Sequence, residues 1–203
     1  MFDLRTLSLS TSGISVVTGR RRAFICGGII FPELRHEIRL PGAVCVLAML
    51  EDQNIYVLDM RQFNDYDFPL AQFFSSVYDK YKLDRYVALQ NSEEDLETLR
   101  FWQEMAKRQY QKMDKIYPSV IKIPIKSDTQ AFSPLISAGT DNKLHIRSPL
   151  LKQAIGQYDP ERPFTEAPHE IQAICLALVF AAQRAWPAFE SDRLARLNNT
   201  EDI

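Results

Sequence analysis

The chain has 203 residues, 46% hydrophobic and 25% charged, an ordinary globular composition that favours one domain with a sizeable core. A net charge of −2 removes any global electrostatic case for nucleic acid or membrane, so contact with a polyanion has to be local. Three cysteines, Cys26, Cys45 and Cys175, stand far apart inside apolar runs, which argues against a disulfide framework or a zinc motif and for small buried hydrophobes in a reducing compartment.

The N-terminus lacks a charged segment followed by a long apolar core, so no signal peptide is expected. The longest apolar run, Ala173 to Ala182, is ten residues, and a membrane span takes roughly 20. A soluble, cytoplasmic protein is the expectation. Residues 1–19 are rich in Ser, Thr and Gly and read as a lead-in, 20–187 as the folded domain, and 188–203 as a flexible polar tail.

In chain order, Ala23 to Phe31 is a strand candidate, and Gly27 and Gly28 inside it suggest a close backbone approach or a bulge. "AVCVLAML" (43–50) and "IYVLDMR" (55–61) are two further strands joined by the turn "EDQN", a hairpin signal. The first third therefore reads as an antiparallel meander. Apolar residues at 70, 73, 74, 77, 78 and 81 then carry helical spacing over 67–82. "RYVALQ" (85–90) is a short strand, and a long amphipathic helix opens at Ser92 with acids in its first turn. "SVIKIPI" (119–125) is the next strand, which implies parallel pairing through a right-handed crossover. A helix interrupted at Pro134, a small strand at 143–147 and a short helix from Pro149 follow. The helix from His169 is apolar almost all round and should be buried, with Pro187 as its stop.

Three antiparallel strands, a helix, a strand, a long helix, a strand and then helices make the element order of the ribonuclease H-like fold, a mixed sheet flanked by helices. A doubly wound sheet would alternate strand and helix from the start. The ribonuclease H architecture does phosphodiester chemistry with two divalent ions, which need carboxylates converging from strand ends and a helix start.

The stretches "GGIIFPE", "QNIYVLDMR", "RYVALQNSEED", "KSDTQAFSPLISAGTDNKLHI" and "PHEIQAICLAL" come in an order and spacing that resemble the nuclease domain of the large terminase subunit of tailed phages, over residues 23 to 185. The resemblance implies where the ligands of a cutting site should stand, and the departures are what matter. Phe31 occupies the place of the first-strand aspartate, Gln90 that of the fourth-strand glutamate, and His169-Glu170 that of paired aspartates. Gln130 stands where an arginine is expected. A phenyl ring offers no lone pair to a metal and an amide offers only a neutral oxygen, so Phe31, Gln90, His169 and Glu170 read as the remnant of a site, with no resident metal or other cofactor.

The resulting expectation is a catalytically inactive terminase-nuclease-like protein, related to phage or prophage DNA packaging, that binds DNA or a packaging protein. An active Mg²⁺- or Mn²⁺-dependent endonuclease with a rearranged site is the alternative; Glu33, Asp59 and Glu170 would supply its oxygens, with Asp128. A protein-interaction domain of another role is the third reading. Each residue also has a structural explanation: Asp59 as a turn cap or partner of Arg61, His169 and Glu170 as a cap and a dipole-matched acid at a helix start. Arg20, Arg21 and Arg22 are the one dense basic run, either a phosphate contact or a charged strand edge. No glycine-rich nucleotide-binding loop and no nucleophile elbow is found.

Overall fold

Strand β6 (Gly42–Leu50) is buried at every one of its nine positions. A strand without polar alternation must be covered on both faces, and the rest of the fold supplies the covers. The computed structural model describes residues 8–9, 14–17, 21–35, 37–64, 68–83, 85–89, 104, 108, 119–158 and 162–200. Its elements are β1 (Ser8–Leu9), β2 (Ile14–Val17), β3 (Arg21–Ile30), β4 (Glu33–Arg35), β5 (Ile38–Leu40), β6, β7 (Ile55–Phe63), α1 (Phe68–Tyr81), β8 (Arg85–Leu89), β9 (Ser119–Ile123), α2 (Asp128–Thr140), β10 (Leu144–His145), α3 (Pro149–Gln157), a 3-10 turn (Phe164–Glu166) and α4 (His169–Thr200).

β3, β6 and β7 form the expected antiparallel meander. β8 runs parallel to β3, and β9 parallel to β8. The order β7-β6-β3-β8-β9, with two parallel strands added beside the meander, is the ribonuclease H-like arrangement. Three strands extend it: β10, β2 and, paired antiparallel with β2, β1. β10 joins the outer edge of β7 in parallel. Ile14–Val17, inside the Ser/Thr/Gly-rich lead-in, pairs antiparallel with the first residues of β3. β4 and β5 form a separate small hairpin between β3 and β6 that the sequence does not announce.

Two apolar layers sandwich the sheet. On one face Ile25, Ile29, Val44, Val46 and Ala48 pack against Leu70, Phe74 and Val77 of α1. On the other, Phe24, Cys26, Cys45 and Leu47 pack against Ile171, Ile174 and Leu178 of α4. The three cysteines are free and buried as expected. Gly28 sets how closely α4 can lie: a Cβ there would sit 2.0 Å from the carbonyl oxygen of Ala173. The segment His169–Ser191 is long and apolar enough to cross a bilayer by composition, yet 61% of that window is buried within the fold. Its apolar surface is used on the sheet.

A register shift in β7 decides which side chains face which layer. Val46 pairs with Asp59 but Leu47 with Val57, so Leu58 is the extra residue of a β-bulge. Before it, Ile55 and Val57 face α4 while Tyr56 faces α1; after it, Met60 faces α4 and Phe63 faces α1.

Both prolines expected to break helices lie inside them. Pro134 sits within α2, and Pro187 within α4, which continues to Thr200. A proline removes one backbone bond and crowds the preceding turn, but burial on either side holds the helix. Ala185 and Phe189 flank Pro187 and are buried, and Trp186 meets Phe189 edge-on at 6.0 Å across it. The long amphipathic helix from Ser92 lies outside the described residues apart from Glu104 and Arg108, which are helical.

Candidate functional site

The N-terminus of α4 is built by its own neighbours. The 3-10 turn brings Pro168 to the helix, and the Pro168 carbonyl accepts from the N–H groups of Ile171 and Gln172. The buried Gln172 side chain donates back to the Ala167 carbonyl at 2.8 Å, fixing the first turn against the segment before it. Asp128, at the start of α2, accepts from the Phe164 N–H at 3.0 Å and anchors the same turn from outside. Gln130 has a capping role: its own N–H donates to Ser127 Oγ while its side-chain oxygen accepts from the Lys126 N–H.

This scaffold presents His169 and Glu170, each only 6% exposed, to a cleft under the β4–β5 hairpin. The partners of His169 assign its protons. Nδ1 lies 2.7 Å from the Pro41 carbonyl, which can only accept, so Nδ1 carries a hydrogen. Nε2 lies 3.3 Å from Glu33 Oε1, which becomes an ion pair once the ring takes its second proton. Glu33 is the outer member, its side chain 43% exposed. Glu170 Oε1 accepts a hydrogen bond from Gln62 Nε2, a residue placed on the α4 face by the bulge in β7. The cleft encloses about 440 Å³ and is walled by Ile38, Leu40, Pro41, Ala167 and Pro168, with Gln62, Glu166, His169 and Glu170 as its polar groups.

Of the residues singled out in the sequence, Glu33, His169 and Glu170 come together here. Phe31 packs into the apolar layer beneath α1, on the sheet face opposite α4. Asp59 is exposed, and its carboxylate accepts from the adjacent Met60 N–H at 2.9 Å. It lies three residues before Gln62, about 10 Å along the strand. Gln90 and Arg20 are outside the described residues; Arg21 and Arg22 pair in register with Val17 and Val16 of β2. Gln62 and the Pro41 carbonyl were not legible as site groups.

A pair of divalent ions needs several carboxylate oxygens converging within a few ångströms. Glu170 is bonded to an amide, Glu33 to an imidazole, and Asp59 and Asp128 to backbone N–H groups elsewhere. No three His, Cys, Asp or Glu side chains gather at metal-binding range among the described residues. These donors do not fit a two-ion centre. The thiols are no substitute: burial pushes Cys26 and Cys45 up, and Cys175 up to about 12, so all three stay protonated.

No family model matches the chain, and no curated protein matches it. Solved structures similar to it include the yeast mitochondrial Holliday junction resolvase Ydc2, at 12% identity and a TM-score of 0.42, covering 79% of this chain and 78% of that one. The T. thermophilus RuvC in complex with a Holliday junction substrate is similar at 12% identity and a TM-score of 0.44, covering 78% and 95%. The large terminase nuclease from thermophilic phage G20c with bound zinc is similar at 10% identity and a TM-score of 0.46, covering 78% and 86%. The fold assignment rests on the strand order itself.

Proposed function

We propose that this chain is a non-cleaving relative of the terminase nuclease domain, cytoplasmic and associated with phage or prophage DNA packaging, that acts by binding DNA or a protein partner. The observation that carries the reading is how the polar groups at the α4 start are used. Glu170 is satisfied by Gln62 and His169 by Pro41 and Glu33, while the end of β3 contributes the apolar Phe31 to the opposite layer. Side chains that bond one another in this way are arranged to hold a structure together, and a cation would have to displace them.

The test is calorimetric titration with Mn²⁺ and Mg²⁺ alongside incubation with supercoiled plasmid. The expected outcome is no stoichiometric metal binding and no nicking. Mn²⁺-dependent cutting that disappears in Glu170→Ala sinks the reading and favours the rearranged endonuclease, in which Glu33 and Glu170 would be the first oxygens to consider. For the DNA arm of the proposal, duplex binding followed by anisotropy should weaken with rising salt and on replacing Arg20, Arg21 and Arg22 by Ser.

A further inference from the structure

The charged groups that line the cleft under the β4–β5 hairpin, Glu166 and Glu170, are carboxylates that accept hydrogen bonds. Glu170 is 94% buried by its 6% exposure, and its Oε1 is taken by Gln62 Nε2. No cation pairs with this carboxylate among the described residues, and its second oxygen keeps its acceptor capacity. Because Gln62 turns its amide nitrogen to a carboxylate, its carbonyl oxygen and one N–H are left over. Glu166, exposed at the rim, adds a second carboxylate. His169 is spent as a donor: one nitrogen faces Pro41, the other Glu33. Around these acceptors stand Ile38, Leu40, Pro41, Ala167 and Pro168, apolar walls of a cavity of about 440 Å³.

We infer that this cavity takes an arginine side chain of a protein partner. A guanidinium brings donors and no acceptor, and is weakly hydrated enough to approach a buried carboxylate. Its aliphatic stem suits the apolar walls, since long basic side chains bury the stem along such surfaces. A phosphate backbone brings the opposite chemistry: negative charge and acceptors against carboxylates. The inference rests on the reading of the chain as a non-cleaving binding protein, and at this cavity it selects a protein over DNA.

The experiment uses the full chain and two peptides, acetyl-Leu-Arg-Leu-amide and its citrulline counterpart, which keeps the shape and loses the charge. Binding is followed by calorimetry and by the His169 ring signals in NMR. The arginine peptide is expected to bind at least about tenfold more tightly than the citrulline one, and to lose about that factor in Glu170→Gln and a smaller one in Glu166→Gln. Glu170→Gln keeps an oxygen for Gln62 and so preserves the local fold, and Glu166 is exposed, so both variants report on charge. Equal affinity for the two peptides, no binding of either, or displacement of the arginine peptide by a single-stranded oligonucleotide overturns the inference. Plasmid cutting overturns the non-cleaving reading by a separate measurement and leaves the charge selectivity of the cavity to be judged on the peptides.

Discussion

His169 joins three pieces of chain that are distant in sequence: α4, the Pro41 carbonyl after β5, and Glu33 at the start of β4. Both bonds are made by one ring that is almost fully buried, so removing it leaves the Pro41 carbonyl without its side-chain donor. Replacing His169 by Ala should cost about 1–3 kcal/mol of stability, read as a shift of the urea midpoint with unchanged slope. A variant that unfolds at the wild-type midpoint would show that the hairpin is held by something else. That His169 and Glu170 open a buried helix was legible from their position before an apolar run. Their partners were not, because Gln62 reaches Glu170 across 108 positions of sequence and His169 reaches Pro41 across 128. Nothing local in "MRQF" or "LPGA" marks either group. That an apolar Phe31 follows the first long strand was visible, but its direction into the α1 layer depends on strand phase, which a run of apolar residues does not encode.

Among the elements, α4 and β3 make the closest contact of the sandwich. Gly28 lies under Ala173, and Cys26 donates from its thiol to the Ala177 carbonyl at 3.4 Å, one turn further along. A methyl group at position 28 would press against backbone, which cannot swing aside as a side chain can. Gly28→Ala should therefore cost about 3 kcal/mol or more by overpacking, measured by equilibrium unfolding; a loss below about 0.5 kcal/mol would mean that α4 can lift without penalty. The paired glycines signalled a close approach, and the meander was legible because each of its strands is a long apolar run between turn residues. The turn itself adds Gln53 at φ 66 and an Asp52 carboxylate accepting from Asn54. The β4–β5 hairpin escaped notice because its strands are three residues each and carry little apolar pattern. The prolines misled for a different reason: a local rule about helix interiors was outweighed by burial of Ala185 and Phe189.

At the scale of the whole molecule, the buried thiols link stability to alkaline pH. An unfolded chain sheds its thiol protons near pH 8.5, while burial keeps those of the folded chain in place, that of Cys175 up to about 12. Above the unfolded value the native state therefore binds more protons, so stability is full below about pH 8.5 and falls as pH rises, by about 1.4 kcal/mol per pH unit for each thiol. Urea midpoints at pH 7, 9 and 10 should fall in that order, and Cys26→Ala should flatten the decline by one thiol's share. An unchanged midpoint from pH 7 to 10 would contradict the burial of these groups.

The extra residue in β7 has a chemical consequence. Arg61 and Gln62 are neighbours, and Leu58 alone decides which of them turns toward α4. As the strand stands, Arg61 lies over the Phe73 ring of α1 and donates to the Pro69 carbonyl, leaving an amide to meet the acid. Were Leu58 paired in the ladder instead of bulged out, every later residue would move one place along β6, Arg61 would stand opposite Ala43, and the guanidinium of the chain itself would turn toward Glu170. One bulged residue in a strand thus keeps a negative charge unspent in the wall of the cleft.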